Sequence, residues 1–445
     1  MREPPFALLP KPAPVALRGK RLLVLGLGDT GLSVARWAEQ QGAKVRAADT
    51  RSSPPRQYAG DVRLGPFTPA LLEGVDLLCI SPGLPLAQPL IADALARSIP
   101  VLGDIELFAW QNTAPVLAIT GTNGKSTVTA LAGHLLRSAH IDGEVAGNIS
   151  PPVLDAALNR TTPPAAWVLE LSSYQLETTW SLDPRAATVL NLTEDHFDRY
   201  ANLGEYGAAK ARIFEGSGVQ VLNRDDPASM SMARPDRDVV TFGLHPKSDF
   251  GVRDGFLAEG GHRLLAVERL PIHGAHNLSN ALAACALVRS LDVPRDALAA
   301  GLASFRGLPH RLERVRERGG VDWYDDSKGT NVGATIAALR GLGRKAVVIL
   351  GGDGKGQDFS PLREPVERFG VKALLIGRDA PLIEAALQGL PTERCASLEA
   401  AVARAATLAK AGDAVLLSPA CASFDMFRDY KHRGAVFAAA VRALP

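Results

Sequence analysis

The stretch "LLVLGLGDTG" (22–31) sets an apolar run directly before Gly26, Gly28 and Gly31. An apolar strand entering a Gly-x-Gly-x-x-Gly turn is typical of a nucleotide-binding α/β fold, because the glycines let the backbone approach a diphosphate. Asp49 follows roughly 20 residues later, where a ribose-binding acid is expected, and Arg51 beside it would suit an extra phosphate. This motif leaves three interpretations open: an NAD(P) site, a site for another nucleotide, and a purely structural turn.

The rest of the chain repeats the pattern that the first strand begins. Short apolar runs alternate with helical periodicity from residue 21 to the end, which predicts an α/β protein with mostly parallel sheets. A length of 445 residues is too great for one ordinary domain and suggests three. We place them at residues 1–103, 104–307 and 308–445, with Rossmann-like first and last domains and a central domain of the P-loop ATPase type.

Composition narrows the class of protein further. The chain is 46% hydrophobic and 22% charged, as expected of a globular protein, and its net charge of +2 does not suggest binding to nucleic acid or to a membrane surface. The four cysteines lie far apart without a Cys-x-x-Cys motif, which favours a reducing compartment. No apolar run approaches a membrane span, so we expect no membrane insertion and a cytoplasmic location. Residues 1–18 are proline-rich and are expected to be a dispensable extension.

A second glycine-rich loop, "ITGTNGKSTVTAL" (119–131), gives the strongest local signal. Gly121 and Gly124 allow a tight turn whose N–H groups can bind phosphate, Lys125 adds a positive charge, and Ser126 or Thr127 offers a hydroxyl to magnesium. The first glycine of the general P-loop pattern is missing, because isoleucine occupies that position. The loop nevertheless predicts an ATP site, since it joins an apolar strand to an amphipathic helix.

Polar residues follow two further strands of the central region. Glu170 ends the strand in "WVLELSSYQL" and could hold magnesium, although a solvated glutamate at a strand end is the plain alternative. His196 lies in "NLTEDHFDRY" among acidic residues that include Asp198, and it could bind metal or substrate or be structural. Lys210, in "YGAAKARIF", is by its pattern only a lysine on a helix surface.

The last third carries three loops of one character. The segments "YDDSKGTN" (324–331), "GGDGKGQDF" (351–359) and "SPACASFDMFRDY" (418–430) each follow an apolar strand. Lys328, Thr330, Lys355 and Ser423 supply cations and hydroxyls that suit an anionic substrate or a transferring phosphate, and Arg311 lies at the domain junction. Any one of them could be a solvated loop residue, but several such loops at strand ends favour a common site.

Taken in order, these motifs resemble the ATP-dependent Mur ligases of peptidoglycan precursor synthesis. "TGTNGKST" is that family's own shortened P-loop, and "ELSSYQL", "HFDRY", "GAHNLSNALAA", "HRLE", "DDSKGTN" and "GGDGKG" follow in the family's order. The N-terminal "GLGDTGLS", "ADTR" and "SPG" segments, with the C-terminal "SPACASFD", resemble the members that add D-glutamate. The resemblance starts near residue 20. Tyr174 stands where the family usually has phenylalanine, and Phe424 and Met426 lie at variable positions.

The resemblance implies a role for each matching residue. A carbamate on Lys210 would hold a second Mg²⁺ together with His196, while Ser126 and Glu170 would hold the first. The catalytic set would be Lys125, Lys210, His196, Lys328 and Lys355. The ATP site would comprise Gly121, Thr122, Asn123, Gly124, Lys125, Ser126, Thr127, Asn277, Asn280, Arg311 and Asp326. The UDP-substrate site would comprise Gly26, Leu27, Gly28, Asp29, Thr30, Asp49, Thr50, Arg51, Ser81, Pro82, Gly83 and Asn148. The amino-acid site would comprise His196, Lys328, Thr330, Lys355, Ser423 and Tyr430.

The implied reaction joins D-glutamate to UDP-N-acetylmuramoyl-L-alanine through an acyl phosphate, with ATP as co-substrate and two Mg²⁺ ions. This places the chain in cell-wall synthesis, and hence in cell shape and division, as a monomer. It also makes the first glycine motif a UDP site with no NAD. Three alternative functions compete with this one. An NAD-dependent oxidoreductase leaves the P-loop unexplained, a nucleotide switch leaves the first and last domains unexplained, and a sister ligase for another amino acid differs only in the last pocket.

Overall fold

Three separate sheets organise the chain, and each lies in one of the three predicted regions. The computed structural model describes residues 5–197, 199–272 and 274–445, so Asp198 lies outside the described residues. The first sheet is wholly parallel in the order β3-β2-β1-β4-β5. Its strands are β1 (Arg21–Leu25), β2 (Lys44–Asp49), β3 (Asp61–Leu64), β4 (Leu77–Ile80) and β5 (Val101–Leu102). Two helices accompany them, α1 (Asp29–Gln40) and α2 (Pro89–Ala96).

The central sheet is the largest and has nine strands in the order β14-β13-β12-β11-β10-β9-β6-β8-β7. Its strands are β6 (Val116–Thr120), β7 (Gly143–Gly147), β8 (Ala166–Glu170), β9 (Ala186–Val189), β10 (Val219–Asn223), β11 (Val239–Phe242), β12 (Phe250–Arg253), β13 (Phe256–Glu259) and β14 (His262–Ala266). The helices from this region are α3 (Asp104–Ala109), α4 (Lys125–Ser138), α5 (Val153–Leu158), α6 (Ser173–Leu176), α7 (Leu203–Ala211), α8 (Pro227–Ser231), α9 (Ala275–Arg289) and α10 (Arg295–Ser304).

The third sheet has six strands in the order β15-β16-β20-β17-β18-β19. Its strands are β15 (Glu313–Arg318), β16 (Val321–Asp325), β17 (Ala346–Gly351), β18 (Gly370–Ile376), β19 (Thr392–Arg394) and β20 (Ala414–Leu417). Its helices are α11 (Val332–Leu342), α12 (Arg363–Phe369), α13 (Ala380–Ala386), α14 (Leu398–Leu408) and α15 (Tyr430–Ala443). Short 3-10 turns cover Pro5–Leu8, Pro69–Leu72, Arg212–Phe214, Val267–Arg269 and Ser360–Leu362.

The sheets are mostly parallel, as predicted, with two antiparallel exceptions. The strands β12, β13 and β14 form an antiparallel meander at one edge of the central sheet, and β15 runs antiparallel to β16 in the third. Central strands such as β6 and β17 are buried along their whole length, because helices cover both faces. The three-domain α/β class is confirmed. The predicted boundaries at residues 103/104 and 307/308 stay predictions.

The part of the proline-rich leader that the structure describes packs against the fold. Phe6, Leu9 and Leu17 are buried, with exposed fractions of 6%, 7% and 2%. Phe6 contacts a cluster that contains Tyr200 and Tyr206, so the leader reaches the central region. The expectation of a dispensable extension did not foresee these three buried apolar side chains. No helix in the described ranges is long and apolar enough to cross a membrane.

Candidate functional site

The loops at the carboxyl ends of all three sheets meet around one cavity of about 720 Å³. Ligands bind at such edges in open α/β sheets, because helix N-termini and strand ends leave backbone N–H groups facing outward. Predicted site residues from every part of the chain line it. These are Gly26, Gly28, Asp29, Thr30, Asp49, Thr50, Arg51, Ser81, Pro82, Gly83, Thr122, Asn123, Gly124, Lys125, Ser126, Asn148, Glu170, His196, Lys210, Arg311, Lys328, Thr330 and Lys355.

The P-loop lies between β6 and α4, as its sequence predicts. Gly124 precedes the helix with φ +86°, and a Cβ there would lie 2.5 Å from the Asn280 Oδ1, so only glycine fits. Lys125 Nζ donates to the carbonyls of Gly121 and Thr122, each at 2.8 Å. Burial lowers the pKa of Lys125. The ammonium therefore sits inside the loop, close to where the N–H groups can meet phosphate oxygens.

Glu170 stands at the end of β8, opposite Ile119 of β6. Its Oε1 accepts a hydrogen bond of 2.6 Å from Asn148 Nδ2, whereas its buried Oε2 has no hydrogen-bond partner among the described residues. A buried carboxylate oxygen is costly unless something satisfies it, and a divalent cation does so well. The donor set thus fits magnesium. Asn148 lies where it orients this carboxylate.

Arg311 connects the third region to the P-loop. Its Nη2 donates to Ser126 Oγ at 2.7 Å, across the junction of the two regions. His310, its neighbour, has φ +61° and shares a 2.7 Å hydrogen bond between its Nδ1 and the buried Asp325. The His310 ring is therefore fixed in place. Arg311 follows it directly and lies just before β15, which begins at Glu313.

Lys210 is the buried end of α7 and has an exposed fraction of 1%. Its Nζ donates to the Gly121 carbonyl at 2.9 Å and lies 4.4 Å from the Tyr206 ring centroid. Burial, with the nearby charge of Lys125, holds the pKa of Lys210 well below its ordinary value. The neutral, nucleophilic form of the amine is therefore favoured more at Lys210 than at an exposed lysine.

His196 lines the same cavity as Lys210, and its backbone has a left-handed conformation with φ +59°. Its Nδ1 shares a hydrogen bond of 2.7 Å with the Tyr174 hydroxyl, and its Nε2 lies 3.7 Å from Asp195 Oδ2. Burial is the main cause that lowers the pKa of His196. A neutral imidazole is the form that binds a metal ion.

The third region contributes two further lysines to the cavity. Lys328 lies 4.0 Å from the Tyr430 ring centroid, and burial lowers its pKa to about 8. Lys355 has φ +51° and follows Asp353, whose carboxylate accepts from the Lys355 N–H at 3.0 Å. These two lysines converge on the cavity with Thr330. Such an arrangement suits carboxylate groups.

A second cavity of about 400 Å³ adjoins the P-loop and holds the other predicted ATP residues. Asn280 Nδ2 donates to Asn277 Oδ1 at 3.2 Å on one face of α9. Asp326 accepts from Ser418 Oγ at 2.7 Å, and burial raises its pKa to about 7. The members of this group are Asn123, Gly124, Thr127, Asn277, Asn280, Arg311 and Asp326.

The glycine turn of the first sheet is shaped by Asp49. Its Oδ2 accepts from the Leu27 N–H at 2.7 Å, and both its oxygens accept from the Arg51 side chain. The Arg51 guanidinium is the chief cause that lowers the pKa of Asp49 to about 2. This carboxylate therefore holds the turn and the arginine rather than pointing freely into the cavity.

Four predicted residues line neither cavity. Leu27 and Ser423 are buried, Gly121 offers its carbonyl to two lysines, and Tyr430 lies beneath Lys328. If these four residues contribute to binding, they would do so through their backbone atoms or through the residues next to them. Sequence reasoning assigned no role to Arg199, although it lies in the "HFDRY" segment, because a single loop arginine is normally solvated. It also assigned no role to several residues that line the first cavity, among them Phe67, Ser150 and Asn331.

Three family models match this chain in succession. Residues 20–103 match the N-terminal domain described as Mur ligase MurD-like, residues 119–288 match the Mur ligase middle domain, and residues 310–421 match the Mur ligase glutamate ligase domain. The chain belongs to the Mur ligase family. The prediction of an ATP-dependent, amide-forming ligase is thereby confirmed, and the oxidoreductase and nucleotide-switch alternatives are set aside.

Relatives of this Mur ligase match it over almost their full length. The UDP-N-acetylmuramoylalanine--D-glutamate ligase of Thiobacillus denitrificans is 54% identical, and the match covers 96% of this chain and 97% of the relative. The ligase of the same name from Nitrosospira multiformis is 53% identical, with 96% of each chain covered. Both matches therefore span nearly all of this chain and nearly all of each relative.

Solved structures support the fold of this Mur ligase. MurF from Acinetobacter baumannii superposes with a TM-score of 0.63 at 18% identity, covering 96% of this chain and 91% of that one. The UDP-N-acetylmuramate-alanine ligase of Thermotoga maritima superposes with a TM-score of 0.59 at 18% identity, covering 95% and 99%. At this identity the likeness shows the architecture alone.

Proposed function

We propose that this Mur ligase joins D-glutamate to UDP-N-acetylmuramoyl-L-alanine, with ATP converted to ADP and phosphate. One observation carries the proposal: two glycine-rich nucleotide loops and the cationic loops of the third region line the same cavity. Relatives about half identical to the chain carry the name of this D-glutamate ligase. The activity belongs to peptidoglycan precursor synthesis, and we place it in the cytoplasm, in a monomer.

ATP would bind across the P-loop and the second cavity. The N–H groups of residues 121–127 and Lys125 would hold the phosphates, and Asn277, Asn280 and Asp326 would surround the adenosine. Arg311 donates a hydrogen bond to Ser126, so its guanidinium lies where the γ-phosphate of ATP would meet the P-loop. Its delocalised charge would stabilise the phosphoryl group during transfer.

Magnesium would be held in two places. Ser126 and the unsatisfied Glu170 oxygen would hold the first ion, and His196 with modified Lys210 would hold the second. When bound, the ions would neutralise charge on the transferring phosphoryl group. Asn148 fixes the Glu170 carboxylate through its 2.6 Å hydrogen bond, so its amide would position that ligand as well as face the sugar substrate.

Lys210 has the chemistry needed to become a carbamate. The Lys210 ammonium would first lose a proton; its amine would then add to CO₂, forming an N–C bond and releasing a second proton, which leaves a negatively charged carbamate where the ammonium was. The product would relieve the repulsion between Lys210 and Lys125, and it would supply an oxygen ligand to magnesium. The low pKa of the amine favours this reaction, because an ammonium group cannot add to CO₂.

The chemistry would take two steps. The L-alanyl carboxylate attacks the γ-phosphorus of ATP, giving an acyl phosphate and ADP. The D-glutamate amine then attacks the acyl carbon, and the tetrahedral intermediate loses phosphate to leave the amide. Lys328, Thr330 and Lys355 would bind the carboxylates of D-glutamate, with the Tyr430 ring beneath Lys328. The buried Ser423 would belong to the same amino-acid site. His196 would face the incoming amino acid from the central region.

The first glycine turn would bind the UDP part of the substrate and no NAD. Gly28, Asp29 and Thr30 border the cavity beside Ser81, Pro82 and Gly83. Asp49 accepts four hydrogen bonds from the turn and from Arg51, so its oxygens are already engaged. That leaves Thr50 and Arg51 to approach the uridine.

Phosphate release tests this function directly. Release should require ATP, UDP-N-acetylmuramoyl-L-alanine and D-glutamate together, and L-glutamate should not replace the D-isomer. Release that persists without D-glutamate, or that fails with all three, would contradict the proposal. Replacing D-glutamate by L-alanine or a diamino acid tests the sister ligases in the same assay.

A further inference from the structure

Arg199, the fourth residue of the "HFDRY" segment, contacts both the loops of the first sheet and the residues around His196. Its side chain is 12% exposed and comes from the loop that carries His196. Its Nη1 donates to two backbone carbonyls of the first region, Pro82 at 3.1 Å and Leu84 at 3.0 Å. Both acceptors belong to the segment after β4 that borders the proposed UDP site.

The opposite edge of the guanidinium is held by a buried carboxylate. Nε donates to Glu177 Oε1 at 3.1 Å, and Nη2 donates to Glu177 Oε2, so the pair is bidentate. Tyr200 donates its hydroxyl to the same carboxylate at 2.7 Å. Glu177 is itself only 2% exposed. The bidentate ion pair therefore fixes the orientation of the guanidinium plane of Arg199, whereas an unpaired arginine side chain would rotate freely.

The flat face of the Arg199 guanidinium packs on Tyr174, which in turn shares a hydrogen bond with His196. Its guanidinium carbon lies 4.2 Å from the centroid of the Tyr174 ring, and the Tyr174 hydroxyl shares the 2.7 Å hydrogen bond with His196 Nδ1. On the other side, Ser81 donates its hydroxyl to the Gly26 carbonyl at 2.9 Å. A continuous series of contacts thus runs from the first glycine turn to His196.

We propose that Arg199 is a positioning residue that couples the UDP-binding loop of residues 81–84 to His196. This inference rests on the function proposed above. With Arg199 in place, the loop is held where the diphosphate would meet it, and the Tyr174 ring is held where it orients the imidazole. Closing the loop onto the substrate and placing His196 become one event, because both depend on the same guanidinium.

The test uses Arg199→Lys in the full-length enzyme. Lysine keeps a charge for Glu177, but a single ammonium cannot bond that carboxylate and two carbonyls in the same plane. The matched control is Arg212→Lys. Arg212 is 14% exposed and donates to the carbonyls of Leu176 and Thr179, within the central region. It has no hydrogen bond to the 81–84 loop among the described residues.

We expect R199K to raise the KM for UDP-N-acetylmuramoyl-L-alanine by about tenfold, as the loss of charged hydrogen bonds to the loop implies. The KM for ATP should stay within about twofold, and R212K should leave the UDP-substrate KM within about twofold. Tyr174→Phe should lower kcat while leaving that KM unchanged, because the ring remains and only the hydroxyl is lost. A KM unchanged in R199K, or changed equally in R212K, would overturn the coupling.

Calorimetric titration with UDP alone separates this proposal from the proposed function. If the wild-type chain binds UDP and R199K binds it about tenfold more weakly, the loop contact stands even where no turnover is seen. Equal UDP affinity in both proteins would refute it even if the ligase assay succeeds. Glu177→Gln is a second variant that keeps the residue's size, and it should weaken UDP binding by about threefold through a less firmly held Arg199.

Discussion

Gly31 offers the sharpest test of why the first motif has its spacing. An ideal Cβ at Gly31 would lie 1.8 Å from the Gly26 carbonyl oxygen and 2.9 Å from Ser81 Oγ, whereas real Cβ contacts essentially never fall below 3.0 Å. Gly31→Ala would therefore force α1 away from the end of β1 by about 1 Å. Overpacking of this kind costs about 3 kcal/mol, which lowers the melting temperature of a chain of 445 residues by roughly 3 °C.

Gly28 provides the matched control within the same motif. It has φ −89°, and a Cβ there would meet nothing within 4 Å. Gly28→Ala should keep the wild-type melting temperature but weaken UDP binding, because the added methyl group faces the cavity. Scanning calorimetry and UDP titration of both variants give the answer. The packing argument fails if G31A melts within about 1 °C of the wild type, or if G28A is destabilised as much.

Three further outcomes follow from the structure. Lys210→Ala should abolish phosphate release, and CO₂-depleted wild type should regain activity with bicarbonate; a fully active K210A would refute the carbamate role. Burial raises the pKa of Asp104 from 3.8 to about 6, so its stabilising contribution is present below pH 4 and lost as the pH rises through 6. In urea titrations, wild type should lose about 3 kcal/mol relative to Asp104→Asn between pH 4 and 7, and parallel curves would contradict this. Deleting residues 1–12 should cost about 3 kcal/mol, because Phe6 and Leu9 are buried; an unchanged denaturation midpoint would restore the view of a dispensable leader.

The fold was predictable because its signals are local. Apolar runs followed by glycine-rich loops mark several of the parallel strands, among them β1, β6 and β17. The antiparallel meander of β12, β13 and β14 was not predicted, because short alternating strands separated by Asp-Gly and Gly-Gly turns look like any surface hairpin. Pairing across the chain, such as β6 between β8 and β9, has no signature in any one segment.

The candidate site was predictable only in part, for a related reason. Lys125 and Glu170 follow strands directly, so the sheet edge brings them together. Lys210 gave no such signal, since its helix has a weakly patterned sequence and its burial depends on packing against the P-loop. The role of Arg199 was harder still to predict from the sequence. Its partners Pro82, Leu84 and Glu177 come from two regions of the chain, and no spacing rule relates them.

The first glycine motif shows how the same backbone can serve different nucleotides. Gly26, Gly28 and Gly31 permit a close approach by phosphate, and nothing in that geometry selects the base or the sugar. In a dinucleotide site the acid after the second strand would face the ribose. Here the carboxylate oxygens of Asp49 instead accept hydrogen bonds from Arg51 and from the turn itself. The selective contacts must then come from outside the motif. The 81–84 loop is the nearest source, and because Arg199 holds it from the central region, recognition at the first sheet depends on the arrangement of the other domains.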